Sequence, residues 1–153
     1  MRESRLLTFS THDALELSYR HWPALLSVET TKRRAVVMFH RGHEHSGRLA
    51  HLVDELDLPD CDFFAWDARG HGLSPGTRGD SPSFATSVRD VQTLIDHIGS
   101  MHCIKEEDLA IVAQSVGAVV IATWAHDYAP KVRALILASP AFSVKLYVPF
   151  ARA

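Results

Sequence analysis

The sequence predicts an α/β domain: an open, mostly parallel sheet of about six strands with helices on both faces. Four short runs, at 35–39, 63–66, 109–113 and 134–138, are continuously apolar, the pattern of parallel strands buried on both faces. The segments between them carry apolar residues at helical spacing. Strand and helix therefore alternate, which calls for right-handed crossovers within one sheet.

The elements follow in order. Leu6-Leu7-Thr8-Phe9 and Leu15-Glu16-Leu17-Ser18-Tyr19 alternate in polarity, so residues 1–20 read as two antiparallel strands on one edge. Residues 34–139 read as parallel βα units. Between the first two parallel runs, Leu49, Leu52, Val53 and Leu56 mark one face of a helix. Between the next two, Phe84, Val88, Val91, Leu94, Ile95 and Ile98 mark another, with Ser81-Pro82 suited to its cap and first turn. A third helix spans Val116 to Tyr128. Residues 140–153 are apolar and are expected to begin a cap or lid over the sheet. The uncharged stretch from Leu109 to Ala125 approaches a membrane span in length, but Gln114, Ser115, Gly117 and Thr123 interrupt it. A strand turning into a helix accounts for it, and no membrane span is expected.

Composition narrows the function. Of 153 residues, 46% are hydrophobic and 22% charged, enough apolar material for a buried core. The net charge of −2 excludes the basic footprint of general nucleic-acid binding. Cys61 and Cys103 fit no metal or redox spacing and read as two buried thiols in a reducing compartment. No secretory signal is legible at the amino terminus, so a cytoplasmic location is expected.

In open α/β sheets ligands bind beyond the carboxyl ends of the strands. After the run at 109–113 comes Ala113-Gln114-Ser115-Val116-Gly117, a serine at a strand-to-helix corner with small residues two positions to either side. A nucleophile on such a sharp turn has a strained backbone that larger neighbours would obstruct. The corner also puts the Val116 N–H at a helix start, where it can stabilise a developing oxyanion. After the run at 35–39 comes His40-Arg41-Gly42-His43-Glu44-His45-Ser46-Gly47-Arg48, whose backbone can supply a second oxyanion donor. Its histidines match neither the helical nor the hydrolase zinc spacing, so no metal is expected. After the run at 63–66 comes Asp67-Ala68-Arg69-Gly70-His71-Gly72-Leu73-Ser74. Pro75 and the glycines there prevent the helix that a dinucleotide loop must open into, so no nucleotide cofactor is expected. Asp67 and Arg69 read as residues that fix the loop by hydrogen bonds.

Together these loops resemble the α/β-hydrolase family, within it the monoglyceride lipase, lysophospholipase and serine aminopeptidase group. Residues 40–48 are similar to that group's His-Gly-x-Gly-Glu-His-Ser-Gly-Arg, residues 67–74 to its Asp-x-Arg-Gly-His-Gly-x-Ser, and residues 113–117 to its elbow. The resemblance implies Ser115 as nucleophile, Val116 and Gly42 as oxyanion N–H donors, and His40, Asp67, Arg69 and Gln114 as support for the loops. Arg41 and His43 stand where the group has glycines, and Ala113 replaces the first elbow glycine.

The resemblance also implies an acid and a histidine after the serine. Beyond Ser115 the sequence holds only His126 and Asp127, eleven and twelve residues along the same helix. At a rise of ~1.5 Å per residue that is about 16 Å, out of reach of the hydroxyl. The expectation is an amino-terminal part of a carboxyl-ester hydrolase, acting on a small, lipid-like acyl ester and slow or inactive by itself. An amidase of the aminopeptidase type is the alternative within the family. A non-catalytic assembly module, associating through the 134–138 strand edge, is the alternative outside it.

Overall fold

The computed structural model describes residues 1–25 and 32–143. Six strands form one sheet: β1 (Arg5–Ser10), β2 (Glu16–Trp22), β3 (Arg34–Phe39), β4 (Cys61–Trp66), β5 (Leu109–Gln114) and β6 (Ala134–Ala138). Their order is β1-β2-β4-β3-β5-β6. β1 and β2 are antiparallel to each other, β2 is antiparallel to β4, and β4, β3, β5 and β6 are mutually parallel. Three helices cross over between the parallel strands: α1 (Ala50–Leu56), α2 (Phe84–His102) and α3 (Val116–Tyr128).

Alternation along the strands divides the core between the two faces. Val37, Phe39, Phe64, Trp66, Ile111 and Ala113 pack with Val91, Leu94 and Ile98 of α2 and with Ile121 and Trp124 of α3. On the other face Val36, Met38, Phe63 and Ala65 pack with Leu49 and with Val53 of α1. Both sides of the central strands are covered, which is why those strands read as unbroken apolar runs. The stretch from Leu109 to Ala125 divides into β5 and α3, and no helix among the described residues is long and apolar enough to cross a membrane.

Several local expectations are corrected. β6 is an edge strand and not buried on both faces: Leu135 is 39% and Ile136 53% exposed, because no described element covers it beyond β5. α2 is capped by Ser83, two residues after the expected position, with its extended backbone and its Oγ accepting the Thr86 N–H at 3.0 Å. Phe84, in the first turn of that helix, is consequently exposed. Leu56 is exposed too, since α1 ends there with Asp57 in a left-handed conformation. Cys61 is buried, but Cys103 is exposed at the left-handed end of α2. Of the expected cap region, residues 144–153 lie outside the described residues.

Candidate active site

Ser115 occupies the corner between β5 and α3 with φ 55° and ψ −120°, a conformation L residues adopt only under constraint. The constraint is visible on both sides. Its N–H donates to the Ala138 carbonyl at 2.9 Å, and its carbonyl accepts from Ala141 at 3.4 Å, so the end of β6 holds the turn. Gly117, two residues on, lies against the end of β3: a Cβ there would stand 2.4 Å from the His40 oxygen and 3.2 Å from that of Phe39. Gln114, the last residue of β5, has its side chain exposed.

The loop after β3 runs alongside this corner. A Cβ built on Gly42 would lie 3.6 Å from Val116 Cγ1, so the two chains are in van der Waals proximity. Val116 is the first residue of α3, where the amide has no partner within the helix. His43, where the family pattern has glycine, retains a positive φ of 60°, and Arg41 and Glu44 close the same turn with an ion pair at 2.8 Å. His40 is buried beneath the loop. Its Nδ1 donates to the Arg41 carbonyl at 2.7 Å and its Nε2 accepts the Ala68 N–H at 3.2 Å. Burial holds its pKa below the usual histidine value, so the ring is neutral and both nitrogens are engaged.

Asp67 and Arg69 bind the loop after β4 to three other segments. The buried Asp67 carboxylate accepts the Ser46 N–H at 2.6 Å and the Leu73 N–H at 2.9 Å. Its carbonyl takes the Ser74 hydroxyl, whose oxygen in turn accepts the Ser18 N–H at 2.8 Å. Gly72 is required at φ 51°, because a Cβ would stand 2.3 Å from the Asp67 carboxylate. Arg69 is held bidentately by Asp13 (2.8 and 2.6 Å) and by Asp90 (2.5 and 3.0 Å). The Arg69 hydrogen bonds hold the Asp13 carboxyl well below the ordinary carboxylate range.

Sequence reasoning missed both carboxylate partners. Asp90 carried a signal, a carboxylate one turn before Leu94 on the apolar stripe of α2. Asp13 carried none beyond its place in a turn. A cleft of about 470 Å³ opens beside Gly42 and Val116, walled also by His43, His71, Asp80 and Phe84. Neither His126 nor Asp127 approaches Ser115: they pair with each other at 2.8 Å, exposed at the far end of α3. No group of three or more metal-ligating side chains is assembled among the described residues.

Comparisons with known proteins bear on the family and the fold. The family profile described as serine aminopeptidase, S33, matches residues 30–153. The chain belongs to this α/β-hydrolase family. A relative in Escherichia coli K12, the uncharacterized protein YnbC, is 60% identical over 94% of the chain, which spans 24% of that protein. The monoacylglycerol lipase of Mycolicibacterium smegmatis is 27% identical over 74% of the chain and is covered over 40% of its length. The chain thus spans less than half the length of each of these two relatives. Among solved structures, DcsB in complex with its substrate analogue aligns with 95% of the chain and 48% of its own length, at TM-score 0.78 and 18% identity. A carboxyl esterase from Bacillus coagulans aligns with 90% and 44%, at TM-score 0.66 and 20% identity. At such identities the likeness is one of fold.

Proposed function

We propose that the chain is the nucleophile-bearing part of a serine hydrolase that cleaves carboxylic esters of the lysophospholipase or monoacylglycerol-lipase kind. The observation carrying this reading is Ser115 at positive φ on the β5–α3 corner, with Gly42 brought beside Val116. Ser115 Oγ attacks the ester carbonyl as the base takes its proton, the Val116 and Gly42 amides receive the oxyanion of the tetrahedral adduct, and that adduct expels the alcohol, which takes up the proton, to leave an acyl-enzyme that water then hydrolyses. We place the base that takes the hydroxyl proton, and the acid that orients it, beyond the described residues, because His126 and Asp127 pair with each other at the far end of α3. His40 is not that base, because both its nitrogens are already hydrogen-bonded.

The relation to a monoacylglycerol lipase supports an ester substrate over an amide. In the full-length protein, 4-nitrophenyl esters of graded chain length should turn over, and Ser115→Ala should lower kcat by more than about a thousandfold. Full turnover by Ser115→Ala would sink the assignment. The 153-residue chain alone should not turn over, since an unassisted serine hydroxyl is a poor nucleophile at neutral pH.

The exposed edge of β6 favours a second property, pairing of the isolated chain with a second copy through that strand. Light scattering over a concentration series should show a rising mass. A constant monomer mass would remove this property.

A further inference from the structure

Resting on that reading of Ser115 and of the Gly42 amide, we propose that Arg41 is a positioning residue for the reaction at Ser115. Its ion pair with Glu44 clamps the turn that aims the Gly42 N–H.

The Gly42 N–H shares one planar trans peptide with the Arg41 carbonyl, so the two point in opposite directions. Aiming one aims the other. The Arg41 carbonyl accepts from His40 Nδ1 at 2.7 Å. That nitrogen carries the ring proton, because Nε2 accepts the Ala68 N–H at 3.2 Å and a backbone amide can only donate. The peptide is thus fixed at its carbonyl end.

The amide end has no comparable hold of its own. Gly42 has no side chain, and a Cβ built there would meet only Val116 Cγ1 among the described residues, at an ordinary 3.6 Å. Glycine is also the residue whose backbone moves most freely. The next residue, His43, has φ 60°, a conformation that costs an L residue free energy, so the turn opens unless something closes it. Arg41 and Glu44 flank these two residues, and their side chains meet at 2.8 Å across the turn. The Glu44 side chain is only 14% exposed, so the pair is screened less than one lying wholly in solvent. Arg41 stands where the family pattern has glycine, which has no side chain to reach Glu44, so the clamp belongs to this chain and not to the general pattern.

An oxyanion donor acts on the transition state more than on the bound ester. Loosening the clamp therefore lowers kcat and leaves KM in place.

Two readouts on the full-length protein test this, one of them independent of turnover. With nitrogen-15 at glycine, the NMR order parameter of the Gly42 amide should be about 0.85 in the wild type and below about 0.6 in Arg41→Gln and in Glu44→Gln. Arg41→Lys keeps the charge and should restore the order, and the double variant should be no looser than either single one. On a 4-nitrophenyl ester, Arg41→Gln and Glu44→Gln should each lower kcat about fivefold with KM within about twofold, while Arg41→Lys stays within about twofold of the wild-type kcat. A Gly42 amide that stays ordered without the pair would overturn the clamp. A mobile amide with unchanged kcat would overturn the positioning role and keep the esterase. Absence of turnover even from the wild type would count against the reading of Ser115 and leave the order parameters to decide the clamp.

Discussion

Gly117 sits directly beneath the carbonyl oxygen of His40, so close that a Cβ would approach that oxygen to 2.4 Å. The contact joins the start of α3 to the end of β3 and sets the distance between the serine corner and the loop that carries Gly42. Both neighbours are backbone and neither can rotate away. Gly117→Ala should therefore cost about 1–3 kcal/mol, the range for overpacking a tight site. Urea unfolding would measure it, and a cost below about 0.5 kcal/mol would show that the contact is soft.

The backbone of Ser115 stores strain that glycine would not feel. Ser115→Gly should be more stable than Ser115→Ala by about 1 kcal/mol, because alanine retains the Cβ at φ 55°. Paired denaturation midpoints check this. Equal stability of the two variants would mean that the corner relaxes when the hydroxyl is removed.

Arg69 makes the two carboxylates bound to it unequal. Asp90 is buried, so Asp90→Ala leaves a buried guanidinium half paired and should cost about 3–5 kcal/mol. Asp13 is 45% exposed, so solvent screens its pair with Arg69 and Asp13→Ala should cost much less than Asp90→Ala. Thermal unfolding of the two variants gives the ranking, and a larger loss from Asp13 would contradict it.

Away from the site, Tyr19 OH meets His97 Nε2 at 3.0 Å and His102 Nε2 at 2.8 Å under the end of α2. His21, bonded to Asp62 at 2.7 Å, packs against His102 with ring centres 4.5 Å apart. Burial, followed by the nearby His21 and His97, holds His102 down at about 4. Its folded pKa thus lies below the unfolded value of about 6.5, so the folded state resists protonation. Its contribution is fully present above that unfolded value and is lost as pH falls from there toward 4. His102→Gln should flatten stability against pH across this interval. An unchanged slope would place the acid sensitivity elsewhere.

How much of this was legible in the sequence depended on the range of the interaction. Helices and strands showed because Val88, Val91, Leu94 and Ile98 repeat at helical spacing and 109–113 does not alternate. The serine corner showed because Ala113 and Gly117 are small, and their smallness is a local requirement of the turn. The site's clamps did not show: Arg69 finds Asp13 56 residues away and Asp90 21 residues away, pairings that only the assembled sheet creates. The exposure of Phe84 followed from an amino-terminal cap two residues from the one expected, and that of Cys103 from its place at the left-handed end of α2, both at helix ends where pattern carries least information. β6 looked buried by composition, but burial depends on what lies beside it.

The most direct test of the account is intact mass after treatment with a fluorophosphonate. The full-length protein should gain a single adduct, which Ser115→Ala abolishes, while the 153-residue chain alone should gain none. An adduct that persists in Ser115→Ala, or full-length protein that never labels, would contradict the assignment of Ser115 as an activated nucleophile.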